Sequence, residues 1–164
     1  MKLKFTRKTW YFCLLVAAAA TLLNGLAVLT GQDFSFLEMC SFCLTALSAL
    51  FLAAEKGSDP SRKRNYFGVF LFLMASYLFA GWLGYLCAAL AWPLLLYTAA
   101  GTGAPVSRQL RLVCGAEGLH LLFVLLAGYG GFASAQFWAN LFWVLLAVAR
   151  GWAALVLYRA QEDT

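Results

Sequence analysis

The sequence predicts an all-α polytopic membrane protein, a bundle of six transmembrane spans in three hairpins with both termini cytoplasmic. Three observations predict it. Of the 164 residues, 63% are hydrophobic and only 12% charged, about half the charged share of a soluble domain, and the mean hydropathy is +0.79. Apolar runs long enough to cross a hydrocarbon core of about 30 Å recur along the chain. Eleven of the 12 Lys and Arg residues sit in short clusters between those runs, and the exception, Arg150, lies inside one. A formal charge of +5 could suit nucleic acid, but these basic residues flank apolar spans and do not form a stripe on a soluble face. Residues 1–164 are read as a single integral-membrane domain.

The first span, about 10–29, follows a basic start at Lys2 to Lys8. It is long enough to cross the bilayer, and Ala17 to Ala20 fall in its middle, not after it, so it is read as an uncleaved helix and not as a signal peptide. A polar turn at Thr30 to Asp33 leads into the second span, about 36–54. The charged connector from Glu55 to Asn65, with Asp59, Pro60, Arg62, Lys63 and Arg64, then ends the apolar pattern.

Residues 66–101 carry no charge, and as one helix they would exceed about 50 Å, too long for the membrane. Arg62 to Arg64 precede this segment and Arg108 and Arg111 follow it. With both clusters cytoplasmic, an even number of crossings separates them, giving short spans at about 66–82 and 85–101. Gly81 and Gly84 are the expected turn. The last hairpin comprises about 110–127 and 135–158, joined by Gly128, Gly130 and Gly131. Every cytoplasmic segment then carries Lys or Arg and the external turns carry none. Aromatics near the span ends, among them Tyr11, Tyr66, Trp82, Tyr129 and Trp138, are read as interfacial belts.

Ionisable groups at depth are costly and tend to face the bundle interior, which singles out Glu117 and His120 in the fifth span and Arg150 in the sixth. Counted at about 1.5 Å per residue from the cytoplasmic ends, the three lie level with one another on antiparallel neighbours. A Glu117–Arg150 ion pair is therefore expected, with His120 one turn along the face of Glu117. It can serve a solute or proton site, or act as a static tie between two helices. Gly115 and Gly118 flank Glu117 and are expected to let a helix or ligand approach it. Glu117-x-x-His120 has the spacing of a di-iron ligand pair, but the chain has one histidine, so no metal site is expected.

Asn24 and Asn140 can hydrogen-bond between helices or line a pocket. Trp92-Pro93 should disturb the fourth span and free a carbonyl that could help form a cleft. Cys40-Ser-Phe-Cys43, at the external end of the second span, is a candidate redox pair; Cys13, Cys87 and Cys114 are read as packing residues. The placement of Cys40-x-x-Cys43 resembles that of the active motif in the four-helix quinone-linked thiol oxidases of bacterial membranes, which implies thiol–disulfide exchange at Cys40 and Cys43. The chain departs from that family in having no cysteine pair in a later external loop and Leu47 where the family carries an Arg.

No Ser-His-Asp set, phosphate-binding glycine loop, zinc-spaced cysteine set or paired catalytic carboxylates can be assembled, so an enzyme is not the leading expectation. The leading expectation is a multi-pass protein of the bacterial cytoplasmic membrane that binds or transports a small solute, alone or as the membrane subunit of a larger complex. Its size and near absence of soluble mass are similar to those of vitamin-binding membrane subunits of energy-coupled transporters. The alternatives are a thiol–disulfide oxidoreductase and a non-catalytic structural or regulatory subunit. The expected partners are the lipid bilayer, a small solute and other membrane or cytoplasmic subunits, with no nucleic acid. The sequence names no cofactor.

Overall fold

The computed structural model describes residues 6–161, and among them every regular element is a helix. In chain order these are α1 (Arg7–Leu29), α2 (Ser35–Ala53), α3 (Pro60–Leu78), α4 (Trp82–Ala100), α5 (Ser107–Tyr129) and α6 (Ala133–Arg159). Five of the six are long and apolar enough to cross a membrane. The exception is α3, because its first turns hold Arg62, Lys63 and Arg64.

Local chemistry explains the boundaries. Thr6 and Thr9 form a capping box at the start of α1. Asp59 caps α3 by accepting from the Ser61 amide at 3.1 Å, and Pro60 occupies the first helical position, where its missing N–H costs nothing. The charged connector is therefore shorter than expected: α3 begins inside it and ends at Leu78, against an expected span of 66–82. Gly81, at φ +72°, makes the following turn, and each of the other interhelical turns also contains one glycine at positive φ. Gly84, expected in that turn, is instead buried inside α4.

Consecutive helices pack side by side, and α1 also packs against α6, so the six form a closed ring. The α4–α5 seam is the most sparsely packed in this ring, and α4 touches α6 across its middle. In lipid the helices gain little from water exclusion, so close approach of small residues matters. At the α1–α6 seam, a Cβ on Gly25 would come within 3.0 Å of Val144 Cγ2, and one on Gly151 within 3.7 Å of Ala18 Cβ. Gly115 and Gly118 behave differently: both are exposed, with nothing near the position of an added Cβ, so no helix of this chain approaches there.

The surface is inverted relative to a water-soluble protein. Leu78 is 80% exposed and Phe36 75%, while Asn24, Thr45, Ser48 and Glu117 are buried. Exposed apolar area on this scale, with polar groups inside, is the pattern of a protein whose solvent is lipid. The chain thus has the features of an integral membrane protein.

The interior divides into two halves. The packed core comprises Tyr11 and Leu14 of α1, Ala49 and Leu52 of α2, Tyr66 and Val69 of α3, Leu95 and Leu96 of α4, Val113 of α5 and Leu157 of α6 with their neighbours. These residues lie toward the end of the bundle that carries the basic clusters. Tyr11 and Tyr66, expected in the interfacial belt, belong to this core, at 1% and 4% exposed. The opposite half, nearer the turns at 30–34, 79–81 and 130–132, holds a cavity of about 960 Å³.

Candidate functional site

Glu117 and Arg150 meet between α5 and α6. Arg150 donates from Nε to Glu117 Oε1 at 3.1 Å, and its Nη2 donates to the same oxygen. Glu117 is 3% exposed, and the Arg150 guanidinium also lies over the Trp92 ring, 5.4 Å from its centroid. The pair is only half used. Glu117 Oε2 and Arg150 Nη1 have no hydrogen-bond partner among the described residues. An acceptor and a donor are thus left over, each carrying charge.

These residues border a cavity of about 960 Å³ that extends to the far end of the bundle, where Asp33, Gly81 and Tyr129 line it. From Tyr129 to Glu117 along α5 is about 18 Å, at 1.5 Å per residue, so the ion pair forms the floor of a deep funnel. Beyond the floor the packed core closes the ring. At the rim, Tyr129 accepts a hydrogen bond from the Trp82 amide at 3.3 Å, tying the end of α5 to the start of α4.

His120 lies on the cavity wall one turn from Glu117. Its Nδ1 is 3.0 Å from the Ala139 carbonyl oxygen and its ring lies alongside Trp143, with centroids 6.3 Å apart. A ring nitrogen facing a carbonyl must carry the proton, which leaves Nε2 as the acceptor in the neutral imidazole. Asn140 also lines the cavity and accepts from Gln136 Nε2 at 3.0 Å. Pro93 lies inside α4 without interrupting it. Having no N–H, it leaves the Ala89 carbonyl without its usual helical donor, and Ala89 borders the cavity.

A second, smaller chamber of about 130 Å³ adjoins the funnel on the side of α1, α2 and α3. Glu38, Ala88, Trp143 and Arg150 border both spaces, so the two share a wall. Its polar lining comes largely from Thr21, Glu38, Ser41, Thr45 and Ser76. None of these was singled out from the sequence, although the signal is there. Glu38, Ser41, Thr45 and Ser48 follow one another at three- and four-residue intervals, a polar stripe down one face of an otherwise apolar helix.

The remaining candidates have other surroundings. Trp92 is buried beneath Arg150 and borders the small chamber. Asn24 is fully buried away from both cavities, accepting the Phe34 amide at 2.9 Å and so joining α1 to the approach of α2. Cys40 and Cys43 are free thiols that border neither cavity. Cys43 is exposed on the side of α2 that also exposes Met39, Leu47 and Phe51. Comparison with protein-family models, curated proteins and solved structures finds no match to this chain.

Proposed function

We propose that the protein is a six-span membrane protein that binds a small polar solute in the funnel and moves it across the bilayer, alone or as the membrane subunit of a larger complex. The observation that carries this reading is the half-used Glu117–Arg150 pair on the floor of a cavity of about 960 Å³. A static tie between helices gains nothing from a large open space beside it, and a charged pair in lipid is costly unless it is fully satisfied or serves a ligand. On this reading α3 is the sixth span. Its uncharged stretch from Asn65 to Leu78 is about 21 Å long, and the basic residues before it reach the headgroups.

The distribution of basic residues orients the protein with both termini and the packed half cytoplasmic. The funnel then opens outward and the core is its inner seal, the arrangement of an outward-facing binding state. A cytoplasmic membrane of bacterial type fits these short loops, with nearly all of the mass in the bilayer. Thiol exchange has less support, because Cys40 and Cys43 lie outside the cavities.

The test is native mass spectrometry of the purified protein, looking for a retained small molecule, followed by the double variant Glu117→Gln/Arg150→Met. Removing both charges together avoids stranding either one, so the fold persists. Loss of the solute from the folded double variant supports a binding role. Retention of the solute would make the pair purely structural, and a ligand-free membrane subunit would then be the better reading.

A further inference from the structure

We propose that the small chamber seats the protonated amine of an organic solute, with Glu38 as its counter-charge. This rests on the reading of the joined cavity as a solute site. The inference comes from following the hydroxyl protons. Thr21 donates to the Ala17 carbonyl at 3.1 Å, Thr45 to the Ser41 carbonyl at 2.8 Å, and Ser76 to the Leu73 carbonyl at 2.7 Å.

A hydroxyl has one proton and two lone pairs. With the Thr21 proton directed to its own helix, the 2.6 Å contact between Thr21 Oγ1 and Ser41 Oγ has Ser41 as donor. The protons of these four hydroxyls are therefore taken, and what they offer the chamber is lone pairs; the fifth hydroxyl on its lining, that of Tyr77, is 54% exposed at its edge. Glu38, an exposed residue in the first turn of α2, adds a carboxylate with no ion-pair or hydrogen-bond partner among the described residues. Arg150, the basic residue bordering both spaces, gives Nε and Nη2 to Glu117 and lies over the Trp92 ring, so its charge is already answered by Glu117 although Nη1 is free.

Four hydroxyls presenting lone pairs, in a joined cavity bordered by Asp33, Glu38 and Glu117 against Arg150, the single cation among the described residues that line it, favour a cation that brings its own donors. An ammonium group has three, and its charge answers Glu38. An anion would meet lone pairs and be repelled by the Glu38 carboxylate, and a neutral solute would leave that charge unused. The chamber is small, about 130 Å³, but it shares a wall with the much larger funnel, which has room for the rest of an organic molecule. There the free Arg150 Nη1 and Glu117 Oε2 can meet further polar groups of the solute.

The experiment uses the full chain in detergent micelles, with binding followed by calorimetry and thermal shift. The probes are n-butylammonium chloride, n-butanol, sodium butyrate and sodium chloride. The expected result is binding of butylammonium alone, weakened about tenfold or more by Glu38→Gln and about threefold by Ser41→Ala, which removes one acceptor. Ser41→Ala also serves if Glu38→Gln fails to fold.

Binding of butylammonium that both variants leave unchanged overturns the assignment to Glu38 and the chamber. A response to sodium equal to that for butylammonium overturns the amine. Binding of butyrate or butanol in place of the amine overturns the ligand class but leaves the funnel as a solute site. No response to any probe overturns the amine, and if native mass spectrometry also finds no retained solute, the binding role of the funnel falls with it.

Discussion

Neutralising Glu117 should strand Arg150 inside the bundle, and the size of that penalty tests whether the two residues are coupled as their geometry implies. Arg150 Nε and Nη2 both donate to one oxygen of a Glu117 carboxylate that is 3% exposed, and the guanidinium also lies over the Trp92 ring. Breaking a buried pair by removing one partner costs about 3–5 kcal/mol. The funnel admits some water to Arg150, so Glu117→Gln is placed at the lower end, about 3 kcal/mol. Arg150→Met leaves a carboxylate that can take up a proton, and is placed at about 2 kcal/mol. Removing both charges strands neither, so the double variant should lose about 2–3 kcal/mol where simple addition gives about 5, a coupling of about 2–3 kcal/mol. The assay is equilibrium unfolding in mixed micelles, followed by tryptophan fluorescence and helical circular dichroism. Single-variant losses that add to the double-variant loss within about 0.5 kcal/mol would refute the coupling.

Three further outcomes follow from other parts of the fold. Gly25→Leu should destabilise the bundle by about 1–3 kcal/mol, because even a Cβ there meets Val144 Cγ2 at 3.0 Å, whereas Gly115→Leu, facing open space, should change stability by less than about 0.5 kcal/mol. A large loss at Gly115 in the same unfolding assay would mean that another helix packs on that face. The Asp59 carboxyl is held below its ordinary pKa by hydrogen bonds from the Ser61 hydroxyl and amide. Its contribution to the start of α3 is therefore complete above the unfolded-state pKa and is lost as pH falls through the lower folded-state value. Thermal midpoints measured from about pH 5 down to pH 2 should fall more for the native chain than for Asp59→Ala, and parallel curves would remove that role. Reporters inserted in the turns at 79–81 and 101–106 should read outside and inside respectively; the same side for both would overturn the six-span topology.

Much of the architecture was legible in the sequence because the bilayer imposes simple rules. Apolar length sets a span, and basic residues avoid crossing. Those rules place five of the six helices within a few residues of their observed bounds. The third helix was misplaced because its polar first turn reads as a loop by composition, while Asp59 and Pro60 in fact start a helix there. The Glu117–Arg150 meeting was legible from depth alone, since antiparallel neighbours of equal rise bring residues at equal depth together. Glu38 was overlooked because it stands near a span end, where a carboxylate attracts little notice. Only the stripe continuing through Ser41 and Thr45 marks it.

The sequence by itself determined that the chain is all-helical with helices long and apolar enough to cross a membrane, the number of its helices and the positions of its internal charges along them, because each of these depends on local composition and on distance along the chain. Only the tertiary structure decided what the helices enclose. The closure of α1 against α6 makes a ring, the large apolar residues fill the half of it nearest the basic clusters, and the other half stays open above the ion pair. Which face of each helix turns inward, and whether the inward faces fill the space between them, depends on all six packing together, and no single span encodes that.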